Sequence, residues 1–165
     1  MTLPGSRIIN GLGVFGTVVS MLFAYLYLQQ YLGLPPCPLC MIDRAIVVAL
    51  GILFFIALIH KPNLIGQRIY AVLTALVAST GIAVCIRHIW LQNLPKDQIP
   101  TCAPDLDYML DVLPLSETLS VIFNTSGECA DTQWTFMNLS IPEQTLLVFT
   151  GFLGLSAIQL FRKTV

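Results

Sequence analysis

Charge is what this sequence has least of. Among 165 residues there are eight Lys and Arg and nine Asp and Glu, 10% in all, whereas a soluble globular domain carries about a quarter. With 56% apolar residues and a mean hydropathy of +0.79, the chain is too apolar for an average water-soluble domain, and its solvent is expected to be the bilayer. Internal repeats, low-complexity tracts and a separable soluble domain are also missing, and no nucleic-acid partner is expected.

What is present in their place is a set of long uncharged runs: Ile8 to Leu32, Ala45 to Ile59, Ile69 to Ile86 and Thr145 to Phe161. A hydrocarbon layer about 30 Å thick takes roughly 20 apolar residues in helical conformation. Two runs fall short, so each must borrow flanking residues, Met41 to Arg44 for the second and Ile141 to Gln144 for the fourth. The first run could be read as a cleaved signal peptide, but it is too long for a signal core and no small-x-small site precedes Pro35. It is read as a retained helix. The expected fold is all-α, a polytopic four-helix membrane bundle forming a single domain over 1–165, with helices at about 8–32, 38–60, 68–91 and 143–161 and external loops at about 33–40 and 92–142.

The few charges orient it. Arg7, Lys61, Arg68, Arg162 and Lys163 fall at one set of helix ends, while the segment from Gln92 to Pro142 holds seven acidic residues and only Lys96 as a base. By the positive-inside tendency, both termini are expected in the cytoplasm and both larger loops outside.

Four of the five cysteines then fall on the outer face: Cys37, Cys40, Cys102 and Cys129, with Cys85 inside the third run. Thiols in such a compartment tend to be oxidised. In "PCPLC" Pro38 suits the first position of a helix, making Cys37 its cap and Cys40 one turn in, three residues on and on the same face. The unpaired amides at a helix start and the cation of Arg44, four residues further, both favour a thiolate at Cys40. Asp43 points elsewhere, toward a cation or toward tuning Arg44. A static disulfide in so short a loop constrains the unfolded chain little. Zinc needs further close ligands, and Cys102 and Cys129 are far apart rather than a second CxxC. No metal is therefore expected, and redox chemistry is favoured.

Cys102 in "IPTCAPDLD" lies between two prolines that bias it toward extended backbone, suited to presentation to another protein. Cys129 sits in "SGECADTQW". A disulfide between them would stabilise the loop by about 3 kcal/mol with no other role, and spacing leaves that reading open. Cys85 reads as a small hydrophobe without a role. Residues 106 to 123 suggest a short helix on the membrane surface, broken at Pro114.

The stretches "PCPLCMIDR", "RHIWLQ", "TCAPD" and "LPLSETLSVIFNTSGECADTQWTFMNLSIPEQTLL" resemble the DsbB (disulfide bond formation protein B) family of bacterial inner-membrane thiol oxidases, and the resemblance runs over nearly the whole chain. It implies an enzyme that reoxidises a periplasmic DsbA-like thioredoxin-fold protein and passes two electrons to a membrane quinone, ubiquinone or menaquinone. It further implies a relay: Cys102 takes the partner's attack, Cys129 is released and exchanges with Cys37, and Cys40 becomes the thiolate facing the quinone beside Arg44. His88, near the outer end of the third helix, is placed with Arg44 as a donor to a quinone carbonyl. Asp43 stands where the family often has Glu. Two other readings are weighed against this one: a reductase running the exchange in reverse, and a non-enzymatic scaffold held by loop disulfides.

Overall fold

A computed structural model of the chain describes residues 5–101, 106–125 and 127–161. Cys102, Arg162 and Lys163 lie outside the described residues. Four long helices are apolar enough to cross a bilayer: Ser6–Tyr31, Pro38–His60, Leu64–Gln92 and Ile141–Phe161. The first is α-helical over Ser6–Leu22 (α1) and then widens into a π-helical segment, Phe23–Tyr31. The segment closes with the Leu32 N–H bonded to the Tyr27 carbonyl, five residues back. Gly33 at φ 66° then lets the chain leave the helix in the left-handed region, which a side chain would disfavour.

Local chemistry sets the other helix ends. Helix α2 (Pro38–His60) begins at Pro38, with Cys37 as its cap, matching the expected start. Lys61 in left-handed backbone and Pro62 end it. Asn63 then caps α3 (Leu64–Gln92), its Oδ1 accepting from the Gly66 N–H at 3.1 Å. The three-residue link makes α2 and α3 a tight antiparallel hairpin. Two short helices follow, α4 (Leu106–Val112) and α5 (Leu115–Thr125), separated at Pro114, where the interrupted helix was expected. Beyond a 3₁₀ turn at Gly127–Ala130 comes a feature an all-α reading did not foresee. A minimal hairpin pairs β1 (Thr135–Phe136) with β2 (Leu139–Ser140), its turn residues Met137 and Asn138 both at positive φ, as tight hairpin turns require. It delivers the chain to α6 (Ile141–Phe161), where the Glu143 carboxylate accepts from the Ser140 N–H at 2.6 Å.

Packing between the long helices relies on small residues opposite rings, as expected where lipid supplies no hydrophobic drive for helices to associate. A Cβ at Gly13 would fall within 2.7 Å of the Phe54 ring, and one at Gly81 within 2.7 Å of the Phe149 ring. Phe54 and Phe149 are fully buried, beside Leu50, Ala78 and Cys85. Among the polar pairs that cross the interfaces are Thr74 Oγ1 to Ser156 Oγ at 2.8 Å, and Gln159 Nε2 donating to Asn10 Oδ1. The outward faces are the reverse of a soluble protein's, with Phe15, Leu76 and Leu147 all more than half exposed. A bilayer is the environment that covers them.

Candidate functional site

The chemistry-bearing side chains gather at one end of the bundle, where α2 begins, α3 ends and the 3₁₀ turn folds back. Because Cys37 caps α2, its Sγ accepts from the Cys40 N–H at 3.3 Å and lies 2.7 Å from Cys40 Sγ. Cys37 Sγ is also 3.9 Å from His88 Nε2, on the last turns of α3. Cys129 completes the group: its sulfur, that of Cys37 and a ring nitrogen of His88 lie within 4.8 Å of one another. Cys37, His88 and Cys129 are buried, while Cys40 is half-buried.

What holds Cys129 there is partly a glycine. The Gly127 N–H donates to the Thr101 carbonyl at 3.3 Å, and any Cβ at 127 would collide with the carbonyl oxygen of Pro100. The strand of chain entering Cys102 is thereby pinned to the turn that carries Cys129. Over this group lie Met109 of α4 and Ile122 of α5, packed with Leu39, Val84 and Leu91. The two short helices thus form a cap on the thiols, with Tyr108, Val112 and Leu115 on their exposed side.

Thiols crowded in an apolar setting resist ionisation. The neighbouring Cys129, then Cys40, and then burial push the Cys37 thiol, just ahead of the α2 span, well above its ordinary range.

Two cavities meet at this end. The smaller, about 20 Å³, is bordered by Cys37, Cys40, His88 and Cys129. The larger, about 300 Å³ and mostly apolar, lies between the π-helical segment, residues 34–36, α2 and α6, and Cys40, Asp43, Arg44 and His88 face it. Cys40 and His88 border both. Arg44 does share this space with Cys40, but the first helix holds its guanidinium: Nη1 donates to Gln29 Oε1 at 2.7 Å and Nη2 to the Ala24 carbonyl at 3.1 Å. The π-helical register is what presents that carbonyl and Gln29 to α2. His88 Nδ1 is buried with no hydrogen-bond partner among the described residues, an arrangement that ordinarily costs free energy.

Asp43, expected to meet a cation or to tune Arg44, lines the larger cavity together with Arg44. It is buried, and the Cys85 thiol lies 3.8 Å from each of its carboxylate oxygens. Cys85, read from sequence as a filler, therefore touches a residue of the cavity wall. Neither Gln29, Ala24 nor Cys85 carried a sequence signal, because each joins the site through helix register alone.

A helical membrane bundle with a buried cluster of thiols at one end is an arrangement suited to thiol–disulfide exchange at a membrane. Residues 6–159 match the model of the family described as disulfide bond formation protein DsbB. The chain is 43% identical over 150 residues to disulfide bond formation protein B of Saccharophagus degradans, covering 91% of this chain and 90% of that one. It is 44% identical over 158 residues to that of Acinetobacter baylyi, covering 95% and 92%. With disulfide bond formation protein B 1 of Pseudomonas aeruginosa it shares 40% over 149 residues, covering 90% and 91%. The chain belongs to the DsbB family, a multi-pass membrane oxidoreductase of disulfide bond formation.

Proposed function

We propose that the chain is a protein thiol oxidase that reoxidises a DsbA-like dithiol protein in the periplasm and delivers the two electrons to a quinone of the bacterial inner membrane. The observation that carries this reading is that Cys129, distant in sequence from the CxxC, lies beside Cys37 while Cys40 borders the larger, lipid-side cavity. Sulfur atoms spaced in this way suit a chain of exchanges with one end toward a protein and the other toward a membrane-soluble acceptor.

In the relay, a thiolate of the partner attacks Cys102 of a Cys102–Cys129 disulfide, forming a mixed disulfide and releasing Cys129. Cys129 then attacks Cys37 of the Cys37–Cys40 disulfide, and Cys40 leaves as a thiolate. The partner's second thiol resolves the mixed disulfide, so the partner departs oxidised and two electrons remain on this chain. Cys102 then attacks Cys129, which frees Cys37 and leaves Cys37 and Cys40 reduced.

The residues around the larger cavity fit a quinone. Its volume admits a substituted ring, Arg44 supplies a fixed cation, and His88, on the cavity wall, offers a ring N–H for a carbonyl oxygen. A second apolar groove of about 590 Å³ begins at Arg44 and runs between α1 and α2 past Val18, Val48 and Phe55, suited to an isoprenoid tail. When bound, the quinone supplies the oxidising power, taking two electrons and two protons to become quinol. The charges support the sidedness: Arg7, Lys61 and Arg68 lie at the helix ends opposite the thiols, as cytoplasmic termini and periplasmic cysteines require.

The test is a trap. Oxidised protein mixed with a reduced DsbA-like partner whose second, resolving cysteine is replaced by Ser is expected to accumulate a disulfide-linked adduct through Cys102, seen on a non-reducing gel and located by peptide mass mapping. Wild-type protein should form quinol and oxidised partner in equal amounts. Normal turnover by the Cys129→Ser variant, or partner oxidation without quinol, would remove the reading.

A further inference from the structure

The sequence argued against a metal because the thiols are not spaced as two CxxC pairs. Folding changes that inventory by bringing a histidine to them. Cys37, His88 and Cys129 come from three separate elements, and their sulfur and nitrogen atoms all lie within 4.8 Å of one another. All three border the cavity of about 20 Å³, room for roughly one water-sized sphere.

That geometry is close to a known demand. Zinc bonds to sulfur at about 2.3 Å and to imidazole nitrogen at about 2.0–2.1 Å in a tetrahedral array, which sets neighbouring ligand atoms roughly 3.5–3.8 Å apart. Cys37 Sγ and His88 Nε2 are 3.9 Å apart already. Cys40 Sγ, at 2.7 Å from Cys37 Sγ, is too near for both to be ligands of one such ion. Glu128 and Asp131 border the same cavity, so a carboxylate or a water is available for the fourth position.

We propose that the reduced protein binds one zinc-class divalent ion between Cys37, His88 and Cys129. Binding displaces the two thiol protons and moves no electrons. A disulfide at either cysteine removes the site, so it exists only in the reduced form. Occupancy withdraws from exchange two sulfurs that the oxidase reading uses, making the ion a brake on the reduced enzyme. The site itself rests on geometry alone and stands or falls independently of the quinone.

The test uses the full chain in detergent, reduced, freed of reductant and kept anaerobic. Added Co²⁺ is expected to give sulfur-to-cobalt charge-transfer bands and the intense visible bands of a tetrahedral centre, saturating at one per chain and bleached by Zn²⁺. His88→Ala and Cys129→Ser should each weaken Zn²⁺ binding, measured by competition with a chromophoric chelator, by about tenfold or more. His60→Ala, at the opposite end of α2 from the thiols, should bind as wild type does. Should a variant fail to fold, the wild type decides: one equivalent of Zn²⁺ is expected to protect Cys37 and Cys129 from alkylation, read by mass mapping. Absence of the cobalt bands, equal binding by oxidised protein, undiminished binding by folded His88→Ala or Cys129→Ser, or protection of a different cysteine pair overturns the site.

Discussion

The two ends of this bundle are built on different principles. At the end where α2 turns into α3, the backbone is regular helix, rings fill spaces left by glycines, and the polar side chains between helices are neutral and paired, as with Thr74 and Ser156. The thiol end combines a π-helical segment, a 3₁₀ turn, a hairpin with a two-residue turn, two cavities, a guanidinium and a buried imidazole. Irregular backbone at the edge of a membrane is tolerated where it is buried in protein or lines a cavity. One end thus secures the fold so that the other can hold groups that are unfavourable to bury.

The comparison can be broken most severely at Gly13. Gly13→Leu drives a side chain into the Phe54 ring and is expected to cost about 1–3 kcal/mol, lowering the thermal midpoint in detergent, while the protein that remains folded keeps its activity per molecule. Loss of activity without loss of stability would mean that the packed end is not merely structural. At the thiol end the contrast should reverse. Arg44→Lys removes the fork that bonds both Gln29 and Ala24. It should raise the KM for quinone about tenfold, roughly 1.4 kcal/mol, with little change in melting temperature and none in capture of the partner. An unchanged KM would detach Arg44 from the acceptor. The smallest effect belongs to Thr74→Ala, where membrane interhelical hydrogen bonds are worth about 0.6 kcal/mol on average. A double-mutant cycle with Ser156→Ala should return a coupling of that order, and a value near zero would show that the packing around the pair holds the α3–α6 interface without it.

A reading of the sequence reached the four spans because hydrophobic runs report directly on the solvent they face. It reached the start of α2 because Pro38 and Cys37 act through bonds to their immediate neighbours. The hairpin at 135–140 was missed, since "TFMN" lacks the glycine that usually marks such a turn. Asp43 was read as meeting a cation or tuning Arg44, and its contact with the Cys85 thiol carried no signal; helical periodicity fixes the direction in which a side chain leaves its own helix but says nothing of what the facing helix presents.

By itself the sequence determined that this chain lives in a membrane, that a CxxC pair stands at the mouth of one span, and where α2 begins. Those properties depend on composition and on contacts a few residues long. Only the tertiary structure decided that His88 and Cys129 would meet Cys37, that Arg44 would be held by the first helix, and that two cavities would share Cys40 as a wall. Each of these follows from the register between helices and from the turn pinned at Gly127, and register is set by the summed packing of whole helix faces rather than by any local stretch of chain.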